Sequence, residues 1–76
     1  GNRKIARSEL GIPENAFVTI KVYNTVGKEI ALLVNNFQPA GIYQVSWRPN
    51  NEPSGVYYYK ITAGNFKFVR KMVYVR

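Results

Sequence analysis

The C-terminal part of the chain alternates apolar and polar side chains with the two-residue period of a β-strand, and this pattern restricts the fold more than any other feature. The run Val56–Thr62 follows a Pro-Ser-Gly break and leads into the turn sequence Ala63-Gly64-Asn65, and a second strand is predicted from Phe66 to Arg76. Side chains of a strand point alternately to its two faces, so that one set is available for burial. That set consists of Tyr57, Tyr59 and Ile61. The chain is therefore predicted to end in a β-hairpin with an aromatic inner face.

Two earlier segments are predicted as strands because they are rich in β-branched and aromatic residues. These segments are Phe17–Tyr23 and Ile42–Trp47. The faces predicted to be buried are Val18, Ile20 and Val22 in the first segment and Tyr43, Val45 and Trp47 in the second. The single tryptophan is expected in the core, since it ends an alternating strand.

The segments between these strands contain turn and loop signals. Asn24-Thr25-Val26-Gly27 is predicted to be a tight turn in which Gly27 adopts a positive φ. Lys28–Val34 has the irregular apolar spacing of a strand with a bulge. Asn35–Gly41 and Arg48–Gly55 are predicted as loops from their content of Asn, Pro and Gly.

The N-terminal segment is open to two interpretations. Leu10 and Ile12 alternate with polar or small residues and predict a short strand that ends at Pro13, which cannot donate to a sheet ladder. The residues of Asn2–Leu10 also favour a helix, which Gly11 would stop.

The spacing of the breaks indicates the fold class. Turn signals recur about every 8–15 residues, which is the pattern of an all-β protein, a small antiparallel β-sandwich of about six to seven strands. A chain of 76 residues buries only about 60% of its unfolded surface. We therefore expect one domain over residues 1–76, with residues 1–11 as an atypical N-terminal segment. No apolar run approaches the roughly 18–20 residues of a membrane span.

The chain lacks the side chains on which most catalytic and metal sites depend. It contains no histidine, cysteine or aspartate, and its acids are four glutamates. Without histidine and cysteine there is neither a usual serine triad nor a zinc site, and no glycine-rich phosphate loop occurs. We therefore expect no enzymatic activity, no metal and no cofactor.

The charge of the chain favours an acidic partner. Eleven Lys and Arg stand against four Asp and Glu, a formal net charge of +7, which suits nucleic acid, anionic lipid or polysaccharide. Lysines beside exposed tyrosines can contact phosphates and stack on bases or sugars. The candidate binding face consists of Lys21, Tyr23, Tyr58 and Lys60. Cross-strand packing is the structural alternative for the tyrosines, and protection of sheet edges is the alternative for the lysines.

Four motifs in a fixed order resemble a known family. They are Val-Tyr-Asn-x-x-Gly-Lys-Glu, Ala-Gly-x-Tyr-x-Val-x-Trp, Ser-Gly-Val-Tyr-x-Tyr-Lys and a terminal Lys-Met-Val-x-Val-Arg. From Ile12 to Arg76 the chain resembles the C-terminal sorting domain of type IX secretion cargo, which is similar to the immunoglobulin-like domain of the flagellar hook-cap protein. The resemblance implies a seven-stranded immunoglobulin-like β-sandwich without catalytic activity.

The resemblance also implies a role for particular residues. A sorting domain of this kind carries an upstream cargo protein through the periplasm and across the outer membrane, to the surface or the medium of a Gram-negative bacterium, by contact with the outer-membrane secretion machinery. The sorting signal would be the terminal segment Lys71, Met72, Val73, Tyr74, Val75 and Arg76. The turn glycines would be Gly27, Gly41 and Gly55, where a backbone turn excludes a Cβ.

Two further expectations complete this interpretation. The stretch Ser8–Glu14 departs from the usual first strand of the family and follows a basic segment. That start, with the tyrosine-rich hairpin and the added cations, would also suit a scaffold variant selected to bind polysaccharide or nucleic acid. The exposed edges of a small sandwich favour a homodimer or a domain swap.

Overall fold

The computed structural model of the chain describes residues 6–76. Over this range the chain folds into six β-strands. Their bounds are β1, Ala6–Ile12; β2, Ala16–Tyr23; β3, Glu29–Gln38; β4, Gly41–Trp47; β5, Gly55–Ala63; and β6, Phe66–Tyr74. The resemblance implied a seventh strand, which is not found among the described residues.

The strands form two antiparallel sheets that pack as a small β-sandwich. The small sheet pairs β1 with β4, and the large sheet has the order β3-β2-β5-β6. β3 and β6 are therefore the edges of the large sheet. The central pair, β2 and β5, joins strands that are far apart in the sequence, from Val18 opposite Ala63 to Tyr23 opposite Tyr58.

The core lies between the two sheets and is built from the alternating faces that the sequence predicts. The buried hydrophobic side chains of the core come from five of the six strands. They are Leu10, Ile12, Val18, Ile20, Val22, Val45, Trp47, Tyr57, Tyr59, Ile61, Ala63 and Tyr74. Burial of each large apolar side chain contributes roughly 1.5–3 kcal/mol to stability. The predicted inner faces of β2 and β5 are confirmed. In β4 the prediction is confirmed for Val45 and Trp47, whereas Tyr43 is only partly buried against the core.

The strand interpretation of the N-terminal segment is confirmed for residues 6–12, and the helix is wrong over residues 6–10. β1 pairs with β4 along its whole length, from Ala6 opposite Trp47 to Ile12 opposite Gly41. Leu10 and Ile12 are buried while the residue between them is exposed. Burial of these two side chains and the pairing with β4 outweigh the weak helix propensity of the segment. The part of the helix prediction that falls on residues 1–5 lies outside the described residues.

β3 is longer than predicted. The predicted loop at Asn35–Gly41 is wrong for residues 35–38, which continue the strand and pair with β2, from Thr19 opposite Asn35 to Ala16 opposite Gln38. Turn-forming composition is overridden here because the partner strand satisfies the backbone. The predicted bulge is confirmed, and the register shifts twice, leaving Leu33 and Ile30 without a partner in β2. Both of these side chains pack against the core.

β6 is shorter than predicted, since it ends at Tyr74 rather than at Arg76. Tyr74 pairs with Gly55, the first residue of β5, so that β6 has no partner strand beyond that point. The backbone N–H of Arg76 instead donates a hydrogen bond to Ser54 Oγ at 2.8 Å. The last two residues therefore leave the ladder and lie against the segment that precedes β5.

Candidate functional site: the C-terminal strand

Three aromatic rings hold the end of β6 in the core. The Trp47 and Tyr57 rings meet edge to face with centroids 4.9 Å apart, and Tyr74 lies 5.9 Å from Trp47 and 6.4 Å from Tyr57. Such tilted contacts stabilise aromatic pairs by about 0.5–1.5 kcal/mol beyond the area that they bury. Tyr74 therefore fixes the end of the C-terminal strand between the two sheets.

The six residues of the predicted sorting signal divide between core and surface. Tyr74 is buried and Met72 is partly buried against the core. The other four are exposed, namely Lys71, Val73, Val75 and Arg76. The inward pair sets the position of the strand, and the outward four are the side chains that a binding partner can reach.

The segment before β5 is fastened to the same end of the sandwich. Tyr57 donates its hydroxyl to the carbonyl oxygen of Pro53 at 2.6 Å, and Ser54 accepts from the Arg76 backbone. Burial raises the pKa of the Tyr57 hydroxyl above its ordinary value of 10.0, with further contributions from the Glu52 carboxylate and from Tyr74. The hydroxyl therefore stays protonated and keeps its bond to Pro53.

Tyr43, near the start of β4, repeats this arrangement. Tyr43 donates its hydroxyl to the carbonyl oxygen of Pro39, again four residues earlier. The sequences concerned are Pro39-Ala40-Gly41-Ile42-Tyr43 and Pro53-Ser54-Gly55-Val56-Tyr57. The shared pattern Pro-x-Gly-x-Tyr is visible in the sequence, although it was not predicted to be a repeat.

The three turn glycines adopt backbone conformations that suit glycine. Gly27 has φ of 85°, and its N–H closes the predicted turn by a hydrogen bond to the Asn24 carbonyl oxygen at 3.1 Å. Gly41 and Gly55 have φ of 157° and 155°, a region that other residues rarely adopt. In the two Pro-x-Gly-x-Tyr segments, glycine thus allows the chain to enter β4 and β5.

Arg70 links the C-terminal strand to the first strand. Its side chain lies on the inner face of β6 and donates from Nη1 to the carbonyl oxygen of Glu9 at 3.0 Å, while its guanidinium lies 5.8 Å from the centre of the Phe68 ring. This arginine was not among the candidate residues predicted from the sequence. Strand alternation places it on the face of Phe68 and Met72, but only the fold brings the Glu9 carbonyl near it.

The structure brings together the four residues of the alternative binding face. Lys21 lies opposite Lys60 and Tyr23 lies opposite Tyr58 on the outer side of the large sheet. Both tyrosines are half-buried, and Lys60 is exposed. Lys21 forms an ion pair with Glu29, with Nζ and Oε1 3.2 Å apart. The face therefore exists, but part of its positive charge is neutralised within the domain.

The described residues also show what the domain offers to a metal ion or a small ligand. No group of His, Cys, Asp and Glu there is arranged to hold a metal ion. An apolar cavity of about 100 Å³ lies between the sheets beside Leu10, Val18 and Val34. Pockets for small ligands are typically about 300–1,000 Å³, so this cavity is too small for such a ligand. Larger surface pockets of about 360, 410 and 380 Å³ lie beside Asn65, Ile42 and Ser54 respectively. The described residues include no helix long and apolar enough to cross a membrane.

Comparison with known proteins identifies one family. Residues 5–75 match the model of the secretion system C-terminal sorting domain. Neither the curated proteins nor the solved structures compared with the chain gave a match. The match covers nearly the whole chain, and it includes the first three motifs, the fourth motif as far as Val75, and all six strands described above. The chain therefore belongs to the family of type IX secretion C-terminal sorting domains.

Proposed function

We propose that the secretion machinery recognises this domain through the exposed side of its C-terminal segment. Family membership means that the domain is non-catalytic, directs the secretion of a cargo protein, and belongs at the surface or in the surroundings of a Gram-negative bacterium. It also implies contact with the secretion machinery and an upstream cargo. The proposal adds which residues of this chain make that contact, and that the cargo reaches the machinery from the periplasm.

The observation that carries the proposal is the division of the terminal segment into buried and exposed halves. Tyr74 is held between Trp47 and Tyr57, and Arg76 is tied by its backbone to Ser54. Lys71, Val73, Val75 and Arg76 consequently project from a fixed backbone. Binding to a fixed surface avoids the cost of ordering the segment on contact, which favours recognition of the folded domain.

An export assay tests the proposal. The chain is fused to the C-terminus of a fluorescent reporter that is exported to the periplasm of a bacterium with type IX machinery. The variant Lys71→Glu/Arg76→Glu should leave the reporter in the periplasm, because two cations of the contact surface become anions. Fluorescence at the surface and in the medium measures export.

The matched control changes the same amount of charge elsewhere. Lys28→Glu/Arg48→Glu alters two exposed cations outside the terminal segment and outside the outer face of the large sheet, and it should export normally. Thermal unfolding followed by circular dichroism confirms that both variants are folded. Normal export of Lys71→Glu/Arg76→Glu would show that the terminal cations are not part of the signal.

Binding of polysaccharide or nucleic acid at the face of Lys21, Tyr23, Tyr58 and Lys60 remains a prediction. The facing lysines Lys21 and Lys60 favour such binding. Two like charges directly opposite each other repel, and a bound polyanion would relieve this repulsion. The ion pair between Lys21 and Glu29 weakens the attraction for a polyanion. Binding of a heparin or DNA fragment that falls steeply with salt, and is lost in Lys60→Glu, would establish this second function.

A further inference from the structure

β6 is an open edge of the large sheet. The order β3-β2-β5-β6 gives it a partner on one side only. In an antiparallel pair, alternate residues of each strand direct their N–H and C=O groups away from the partner, so an edge strand presents a row of unpaired hydrogen-bonding groups. An extended segment of another protein can pair with such an edge by strand addition.

The outer face of β6 alternates cations with exposed valines. The residues on this face are Lys67, Val69, Lys71 and Val73, with Val69 60% and Val73 66% exposed. The residues of β5 opposite them are Thr62, Lys60, Tyr58 and Val56, which include no acid. Within residues 6–76, no carboxylate forms an ion pair with Lys60, Lys67 or Lys71. The edge therefore carries an uncompensated positive charge and an uncovered apolar surface at the same time.

A second copy of the chain is a poor partner for this edge. Symmetric pairing of the two full strands is centred on Arg70 and sets it against the same residue of the second copy. A shift by one residue centres the pair on Val69 or on Lys71. The first of these shifts places Lys67 opposite Lys71 of the second copy, and the other places Lys71 opposite itself. Each arrangement sets like charges directly opposite each other, which is unfavourable.

We propose that β6 pairs edge to edge with an extended acidic segment of a partner protein. In this segment acidic side chains face Lys67 and Lys71, and apolar side chains cover Val69 and Val73. The proposal rests on the proposed function and specifies the chemistry of the partner. A polyanion such as a nucleic acid would contact the lysines but leave the valines exposed, so the alternation favours a polypeptide strand.

A peptide titration tests the pairing. The probe is a blocked, dye-labelled peptide in which glutamate and valine alternate at every second position, with threonine between them. Fluorescence anisotropy measures its binding to the whole 76-residue chain, and hydrogen exchange measures protection of the β6 amides. We expect binding with protection of β6. A peptide of the same composition in scrambled order, and one with alternate N-methylated amides on its pairing edge, should each bind about tenfold more weakly or worse.

A charge exchange provides the matched variant. Lys67→Glu/Lys71→Glu should weaken binding of the glutamate peptide by about tenfold or more, because two attractive pairs become repulsive. The same variant should gain affinity for a peptide with lysine in place of glutamate. Lys28→Glu/Arg48→Glu carries the same charge change outside the edge and should bind like the unchanged chain.

Three outcomes would overturn the inference. N-methylation without effect would show that charge alone holds the peptide, and tighter binding of a heparin or DNA fragment at the same lysines would assign the edge to a polyanion. Protection of β6 amides by self-association at rising protein concentration would assign the β6 edge to a second copy.

The export assay separates these results from the proposed function. An export defect in Lys71→Glu/Arg76→Glu without peptide pairing overturns only the strand addition, whereas peptide pairing with normal export of that variant overturns the proposed function.

Discussion

The Tyr57 hydroxyl donates a hydrogen bond to the carbonyl oxygen of Pro53, the residue four positions before it. Tyr43 and Pro39 are related in the same way, and the glycines between them have nearly equal φ values, 155° at Gly55 and 157° at Gly41. One local structure thus opens two strands in different sheets. Each tyrosine closes the chain back onto the segment that leads into its strand, which fixes where that strand begins.

Removal of either hydroxyl should destabilise the domain without changing its fold. Tyr57→Phe and Tyr43→Phe each leave a proline carbonyl without its donor, and we expect a loss of about 1 kcal/mol in the free energy of unfolding. Tyr57→Phe should cost more, since Tyr57 is buried and Tyr43 is half-exposed. Urea unfolding measures both values, and Tyr58→Phe, on the outer face, serves as the control. Equal stability of all three variants would mean that these bonds do not hold the strand entries.

Alanine at the repeated glycines should cost stability through the backbone alone. No atom lies within 4 Å of a Cβ added at Gly55, and at Gly41 such a Cβ meets only Tyr43 at ordinary contact distance. The cost of Gly41→Ala and Gly55→Ala therefore comes from φ and should be of the order of 1–3 kcal/mol.

Gly11→Ala is the matched control for these two variants, because Gly11 has equally open space without a positive φ. It should leave the stability within about 1 kcal/mol of the unchanged chain. Thermal melting distinguishes the three, since about 1 kcal/mol moves the midpoint by roughly 4–8 °C in a domain of this size. A control as unstable as the other two would assign the effect to the loss of glycine rather than to its conformation.

Truncation of the neighbouring residues Tyr74 and Val75 should have very different effects on stability. Tyr74→Ala empties a site between Trp47 and Tyr57, and by analogy with other large aromatic deletions it should cost about 3–5 kcal/mol. Val75→Ala changes a side chain that is 55% exposed and should leave stability within about 0.5 kcal/mol. Denaturant unfolding gives the two values. A small loss for Tyr74→Ala would contradict the anchoring of β6 by its inward residues.

Alkaline pH should unfold the domain through its buried tyrosines. Burial raises the pKa values of Tyr57 and Tyr59 above 10.0. The unfolded chain therefore releases these protons first. The stability that comes from keeping the hydroxyls neutral is complete below about pH 10 and is lost as the pH rises from there through the folded pKa values.

Unfolding in urea between about pH 9 and pH 11 measures this loss. In Tyr57→Phe the free energy of unfolding should fall less steeply with pH, because one of the two hydroxyls no longer titrates. Tyr58→Phe is again the control for the general loss of a tyrosine. The same slope in Tyr57→Phe and in the unchanged chain would show that Tyr57 does not contribute to the alkaline transition.

The sequence predicts the faces of individual strands well, because burial in a sandwich follows a period of two. Val18, Ile20 and Val22 are buried as expected, and Tyr57, Tyr59 and Ile61 are as well. The pattern does not predict which strands pair, since β2 meets β5 across most of the chain and nothing local specifies this. The same limit explains the wrong loop prediction at Asn35–Gln38. The composition of this segment is typical of a loop, but its backbone groups pair with β2 in the folded sheet.

The sequence predicts where the candidate site lies in the chain, but not which of its residues are buried and which are exposed. The resemblance places the signal at residues 71–76, yet only packing shows that Tyr74 belongs to the core and that Arg76 has left the strand. Arg70 was not predicted because its side chain donates a hydrogen bond to the Glu9 carbonyl oxygen, which only the fold brings near. The four residues of the outer face were found because Lys21, Tyr23, Tyr58 and Lys60 alternate on two strands that become neighbours.

The strand order of the large sheet also has a consequence for synthesis. β2, in the middle of that sheet, needs β5 as its second neighbour, and β5 in turn carries three of the large buried side chains, Tyr57, Tyr59 and Ile61. A polypeptide that stops before β5 lacks both the second neighbour of β2 and these three buried side chains. Because such distant pairings also fold slowly, on a scale of about milliseconds to seconds, the domain completes its fold late. If the exposed C-terminal segment is the export surface, as we propose, a product of translation that ends before β5 lacks that surface and is not a substrate for secretion.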